Sequence, residues 1–253
     1  QLEGEEMPIS IPGFNGGDRE SIELPAIQTK LITALKKANK KIVLVNFSGS
    51  AMALTKEAQL CDAILQAWYP GQAGGKAIAA TLMGEYNPAG RLPLTFYKST
   101  SQLPDFEDYS LKGRTYRYFT DEPLFPFGHG LSYTSFKYGE AELSSRTIKA
   151  GENLSMSIPV SNIGKYDGDE VVQIYIRRPD DKQGPLLTLR EFKRVNIAKG
   201  TTSNIKFQLT PDSFEWFDTN TNTMRTLKGE YEILYGGTSD MKKLKSVKIT
   251  ITE

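Results

Sequence analysis

The chain has 253 residues, beyond the roughly 100 to 200 of a common single domain, so two domains are expected, each able to build its own core. Hydrophobic residues make up 39% and charged residues 24%, which fits a folded globular protein and excludes a largely disordered one. With 31 Lys and Arg against 30 Asp and Glu, no excess charge draws the chain to nucleic acid or an anionic membrane, and neither partner is expected.

No stretch approaches the roughly 20 apolar residues of a membrane span. The first residues, Gln1 to Ile11, carry acids where a signal peptide needs a basic and then an apolar run, so the start is expected to be internal to a longer protein. Cys61 is the only cysteine, which excludes an internal disulfide, and it is expected in the core. His129 is the only histidine, so no two-histidine metal site or ordinary histidine-based triad can be built from this chain, and a structural loop role is favoured for it. Neither a metal nor a cofactor is expected.

Along the chain, AIQTKLITALKKA from Ala26 to Ala38 repeats Ile27, Leu31, Ala34, Leu35 and Ala38 at helical spacing. Pro25 stands at the expected first helical position, and lysines close the run, so a helix is predicted. Lys41 to Phe47 is a short apolar, β-branched run that suits a strand buried on both faces. Ala63 to Trp68 reads as a second buried strand, Gly74 to Met83 as a helix of small residues, and Leu92 to Phe96 as an edge strand. Turn formers fill Tyr69-Pro70-Gly71-Gln72 and Asn87-Pro88-Ala89-Gly90-Arg91, which places loops at strand ends, where open parallel sheets hold their ligands.

Periodicity fades from Ser101 to Tyr133, while aromatics gather: Phe106, Tyr109, Tyr116, Tyr118, Phe119, Phe125, Phe127 and Tyr133. A packed connector lying across both domains is the favoured reading. After Phe136 the period becomes two, with strands expected at Leu154–Val160, Val171–Ile176, Ile205–Leu209, Tyr231–Tyr235 and Val247–Ile251, an antiparallel sandwich of about seven strands. The expected division is 1–100 for the α/β part, 101–135 for the connector and 136–253 for the sandwich.

Three separated motifs stand in order: Ala63 to Phe96 with its Trp68-Tyr69-Pro70-Gly71-Gln72 loop and Asn87-Pro88-Ala89-Gly90-Arg91, then Arg114 to Phe119, then Phe125 to Thr134. They resemble the α/β sandwich domain and linking segment of family 3 glycoside hydrolases, of the β-glucosidase and β-xylosidase type. Val160 to Gly164, Asp167 to Gln173 and Leu189 to Val195 are similar to the fibronectin type III-like domain appended in that family. The resemblance implies a partial α/β sandwich domain followed by an all-β, immunoglobulin-like sandwich. It also implies a retaining, exo-acting β-glycosidase releasing terminal β-linked glucose or xylose from oligosaccharides, whose aspartate nucleophile sits on an N-terminal barrel that this sequence does not contain. The chain alone is then expected to be inactive, with the barrel as its partner and a β-linked oligosaccharide as substrate, in a bacterial parent that is periplasmic or secreted. Oligomeric state is left open.

Retaining glycosidases need two carboxyl groups about 5 to 5.5 Å apart, one a nucleophile and one an acid/base. Leu2-Glu3-Gly4-Glu5-Glu6-Met7 before Gly16-Gly17-Asp18-Arg19 resembles the family's mobile acid/base loop, and the motif order puts the catalytic role on Glu5. Glu3 and Glu6 stay open as neighbours that could carry it instead, and a solvated acidic loop is the plain alternative. Asp18 and Arg19 either position that loop or are exposed charges. Trp68 and Tyr69 either meet sugar faces or pack in the core, with packing favoured, and Gln72, Arg91 and Asp105 are expected to be loop scaffolding. A non-catalytic carbohydrate-binding module or a structural fragment are the rival functions, the α/β half arguing against the first.

Overall fold

The computed structural model describes residues 12–15 and 18–253. They divide into two compact units, one holding the chain to Met83 with Leu94–Thr115 and Phe119–Phe125, the other Gly84–Pro93, Tyr116–Tyr118 and Pro126–Glu253. The Asn87-Pro88-Ala89-Gly90-Arg91 turn thus packs with the β-rich unit.

In the first unit, β1 (Phe14–Asn15) and β2 (Asp18–Arg19) form a short antiparallel hairpin. Helix α1 (Ala26–Lys37) follows Pro25, whose fixed φ suits the entry, and ends where Asn39 turns left-handed at φ 55°. Only Ile32 of α1 is buried; Ile27 and Leu31, on the apolar stripe that marks the helix in the sequence, are 72% and 61% exposed. Next come β3 (Val43–Asn46), α2 (Thr55–Leu60), β4 (Ala63–Gln66) and α3 (Gly74–Leu82). β3 and β4 pair in parallel, Val43 opposite Ala63 and Asn46 opposite Gln66. Their predicted burial on both faces is not found, because a two-stranded layer cannot cover both sides, and Val43 is exposed. The core forms instead from Met52, Ala53 and Leu54 after β3, with Ile32, Ile42, Phe96 and Phe119.

Leu92 to Phe96 is not a strand of this layer. Its extended backbone makes an isolated antiparallel bridge, Phe96 with Phe125, because Pro93 interrupts the donors a ladder needs. Cys61 is half-buried where α2 ends rather than in the core, and its thiol is pushed up by burial and by Glu57 and Asp62.

After Gly84–Pro93, the second unit takes up Tyr116–Tyr118 of α4 (Thr115–Tyr118), a single helical turn. Its strands are β5 (Phe136–Tyr138), β6 (Glu142–Leu143), β7 (Thr147–Lys149), β8 (Leu154–Asn162), β9 (Gly168–Arg177), β10 (Thr188–Ile197), β11 (Thr202–Leu209), β12 (Glu215–Asp218), β13 (Thr223–Thr226), β14 (Gly229–Gly236) and β15 (Lys245–Thr252). One sheet runs β10-β9-β14-β15-β7, antiparallel except where β7 joins β15 in parallel; the other runs β11-β8-β5, with β6 also on β8. β12 and β13 form a separate hairpin. Alternate residues turn inward: Leu154, Met156, Ile158 and Val160 from β8 meet Val172, Ile174 and Ile176 from β9 and Tyr231, Ile233 and Tyr235 from β14.

The centre of the five-stranded sheet is covered on its other face too. Tyr116 stacks on Phe127 with centroids 4.3 Å apart, and the pair packs on Tyr175, Leu187 and Leu234. These linking aromatics are packed, whereas Phe106 and Tyr109 are each 89% exposed. Gly128 is required here: its φ is +76°, and a Cβ would meet the Gln173 Oε1 at 2.1 Å. Beside it His129 is a half-buried loop residue whose backbone carbonyl accepts from Leu92 N. Burial, then Lys243 and Arg91, push its imidazole below the usual range.

Candidate active-site loops of the first unit

Parallel strands leave their C-terminal ends open to loops, and here the ends of β3 and β4 are tied by amides. Asn46 Nδ2 donates to Gln66 Oε1 at 2.7 Å and to Ser48 Oγ at 3.0 Å, and Ser48 Oγ donates to the Ser50 carbonyl at 2.8 Å. Gln66 Nε2 closes the set on Ser48 Oγ at 3.1 Å. The bonds fix the Phe47–Ala53 loop, with Asn46 and Ser48 buried beneath it.

The second loop, Ala67–Ala73, is held by shape. Trp68 is left-handed at φ 55°, a conformation that costs a bulky residue about 1–3 kcal/mol. Its ring meets Phe96 edge-on at 6.2 Å, so Trp68 packs as the sequence reading favours. Tyr69 does not: it is 75% exposed, and its ring lies against Gly49, where a Cβ would approach Cε2 at 2.8 Å. With Phe47 also 54% exposed, two aromatic side chains stand open on loops beyond the strand ends. Gln72 is exposed in the same loop and makes no side-chain bond to another described residue.

Arg19 is anchored rather than free. Its guanidinium donates to Met52 Sδ at 3.0 Å and to the Glu23 carbonyl, and lies 5.7 Å from the Phe14 ring centroid. Asp18 is exposed. Glu23, which the sequence reading passed over, locks the segment: its carboxylate accepts from Thr100 N at 2.9 Å and Thr100 Oγ1 at 2.5 Å, while Ile22 N donates to the same hydroxyl. Burial works against its ionisation, but the Thr100 bonds outweigh it and hold the carboxyl below its ordinary range. No sequence period marks such a residue. Asp105 is scaffolding, its side chain accepting from Glu107 N and its carbonyl from Arg114.

Glu5, with Glu3 and Glu6, lies outside the described residues. No group of three or more His, Cys, Asp or Glu that could hold a metal occurs among the described residues. The described loops offer amides, hydroxyls and open aromatic faces, groups that suit a neutral, polyhydroxylated ligand.

In the second unit the residue after these loops with the firmest place is Arg91. Its guanidinium meets Glu170 at 2.7 Å with only 10% and 5% of the two side chains exposed, and Tyr138 donates to the same carboxylate at 2.7 Å. Burial and Glu170 push the Tyr138 phenol well above its usual range. Arg91 is thus scaffolding.

Comparison with known proteins gives one consistent picture. The Glycosyl hydrolase family 3 C-terminal domain matches residues 2–133, and the Fibronectin type III-like domain matches residues 170–239. A xylan 1,4-β-xylosidase of Xylanibacter ruminicola is 56% identical over 99% of this chain, which covers 29% of that protein. A β-xylosidase of Formosa agariphila is 35% identical over 93% of the chain, covering 33% of that protein. Among solved structures, a β-glucosidase from Erythrobacter marinus aligns at a TM-score of 0.82 and 36% identity, over 93% of this chain and 31% of that one. The chain therefore spans about a third of the length of these relatives. Its α/β unit, its sandwich and the motifs that link them place it in glycoside hydrolase family 3.

Proposed function

We propose that this chain works as part of a retaining, exo-acting β-glycosidase that releases terminal β-linked sugars, with Glu5 as the general acid/base. The observation that carries the reading is the near-complete alignment of the chain with a protein named as a xylan 1,4-β-xylosidase, at 56% identity. Xylose is accordingly favoured over glucose as the released sugar. Glu5 protonates the departing glycosidic oxygen, then takes a proton from the water that attacks the glycosyl-enzyme, while a second carboxylate outside this chain is the nucleophile.

Two features support that arrangement. Arg19 follows the acidic run in sequence and is pinned to the loop leaving β3 through Met52. The open faces of Phe47 and Tyr69 lie at the same strand ends, and suit the C–H face of a sugar ring. The test uses the complete parent enzyme with 4-nitrophenyl β-xyloside and β-glucoside side by side. A higher kcat/KM for the xyloside is expected; a preference for the glucoside overturns the sugar assignment, and absence of turnover on every β-glycoside overturns the reading itself.

A further inference from the structure

The sandwich carries a cleft of about 630 Å³, lined by Arg117, Arg178, Thr188, Arg190, Phe217 and Met224 among others, all within the second unit. Arg190 occupies it for a structural reason. In the β9–β10 ladder Leu189 opposes Tyr175 and Glu191 opposes Ile174, so Arg190 is the extra residue of a β-bulge. Bulges redirect a side chain out of the normal alternation. The Arg190 guanidinium lies over the buried Trp216 ring, 5.5 Å from its centroid, and donates to the Glu215 carbonyl.

The charges of the cleft are unevenly satisfied. Asp181 accepts from Trp216 Nε1 at 2.8 Å and from Gln183 N and Gly184 N. Asp218 accepts from Asn220 N and pairs with Arg225, and Asp180 pairs with Arg178 at 2.9 Å. The Glu215 charge favours the ionised Arg190 without a close ion pair, and the Arg190 Nε, the Arg178 Nε and the Thr188 hydroxyl are buried without a hydrogen-bond partner among the described residues. Burial, and then the neighbouring Arg117, lower the Arg190 pKa against the opposing charge of Glu215. Beside these donors, Phe217 and Met224 face each other across the β12–β13 hairpin, each 51% exposed.

We infer that this cleft binds a carboxylate-bearing saccharide, the carboxylate on the Arg190 and Arg117 guanidiniums and a sugar ring against Phe217 and Met224. Guanidinium donors match the planar, two-oxygen acceptor of a uronic acid. The aspartates of the rim accept from sugar hydroxyls, whereas they repel a phosphate dianion more strongly than a single carboxylate. Such a site holds an acidic branch of a polysaccharide without any bond being cleaved there, and it does not depend on the hydrolytic reading.

Calorimetric titration of the 253-residue chain with a glucuronate-substituted xylotetraose, unsubstituted xylotetraose, a galacturonate oligomer and inorganic phosphate tests it. Saturable binding of a uronate-bearing oligomer is expected, weakening as salt rises. Arg190→Gln and, separately, Phe217→Ala should each weaken it about tenfold. Circular dichroism and thermal melting confirm that each variant is folded; Phe217 is exposed, so its variant keeps the test open if Arg190→Gln unfolds. No binding of either uronate oligomer, equal binding of the unsubstituted one, tighter binding of phosphate, or unchanged affinity in a folded Phe217→Ala overturns the inference.

Discussion

Two bonds from Thr100 hold the Glu23 carboxylate, and the consequence is a pH dependence whose sign can be worked out. Glu23 titrates below the ordinary glutamate value of 4.5 in the folded chain, so its contribution to stability is fully present above that value. It is lost as pH falls through the lower folded value. The stability gap between the native chain and Glu23→Gln, measured by urea unfolding, is therefore expected to shrink as pH falls below 4.5. A gap that widens with acid would contradict the assigned shift. A second residue carries a geometric prediction: Gly128→Ala forces a Cβ into the left-handed region and onto the Gln173 amide, and should cost at least about 1–2 kcal/mol. Little of this was legible in the sequence. The FGHG motif marked Gly128 only as part of a resemblance, and an acid such as Glu23 or the buried Glu57, which accepts from Thr29, has no pattern to announce it. Tyr69 was misjudged because an aromatic beside a strand end gives no sign of which way its loop turns.

Periodicity located α1, β3, β4, α3 and the five sandwich strands β8, β9, β11, β14 and β15, since each buries or repeats apolar residues at a regular interval. It said less about which face is covered. The stripe that announced α1 contains the exposed Ile27, Leu31 and Leu35, while the buried residue is Ile32. Thermal or urea unfolding of the 253-residue chain should accordingly separate two neighbours: Ile32→Ala should cost about 2–5 kcal/mol and Leu31→Ala no more than about 0.5 kcal/mol. Equal losses would mean that α1 packs by its other face. Strand β10 was visible only as a family-like motif, because its bulge breaks the alternation and its central residues are charged and exposed. Helix α2 has six residues, too few to show a period, and the one it buries is Glu57.

Across the sandwich unit, the Arg91, Glu170 and Tyr138 cluster joins the turn before the linking motif to β9 and β5 through buried charge. Removing one partner leaves the other charge unpaired, so Arg91→Met alone should destabilise by about 3–5 kcal/mol. The double variant Arg91→Met, Glu170→Gln should recover part of that loss, and a strictly additive pair in urea unfolding would show that the two side chains do not couple. The alternating strands made the sandwich readable from the chain alone, whereas this cluster depends on residues far apart in sequence and carries no local mark. The assignment of Glu5 likewise rests on motif order.

The most direct measurement is the leaving-group dependence of Glu5→Gln in the complete parent enzyme, with Glu3→Gln and Glu6→Gln in parallel. If Glu5 is the acid/base, its variant loses about 10² to 10⁴ in rate on glycosides with poor leaving groups and less on activated aryl glycosides, and azide restores the second step by replacing base-activated water. Wild-type behaviour of Glu5→Gln, with that pattern appearing instead in Glu3→Gln or Glu6→Gln, would contradict it.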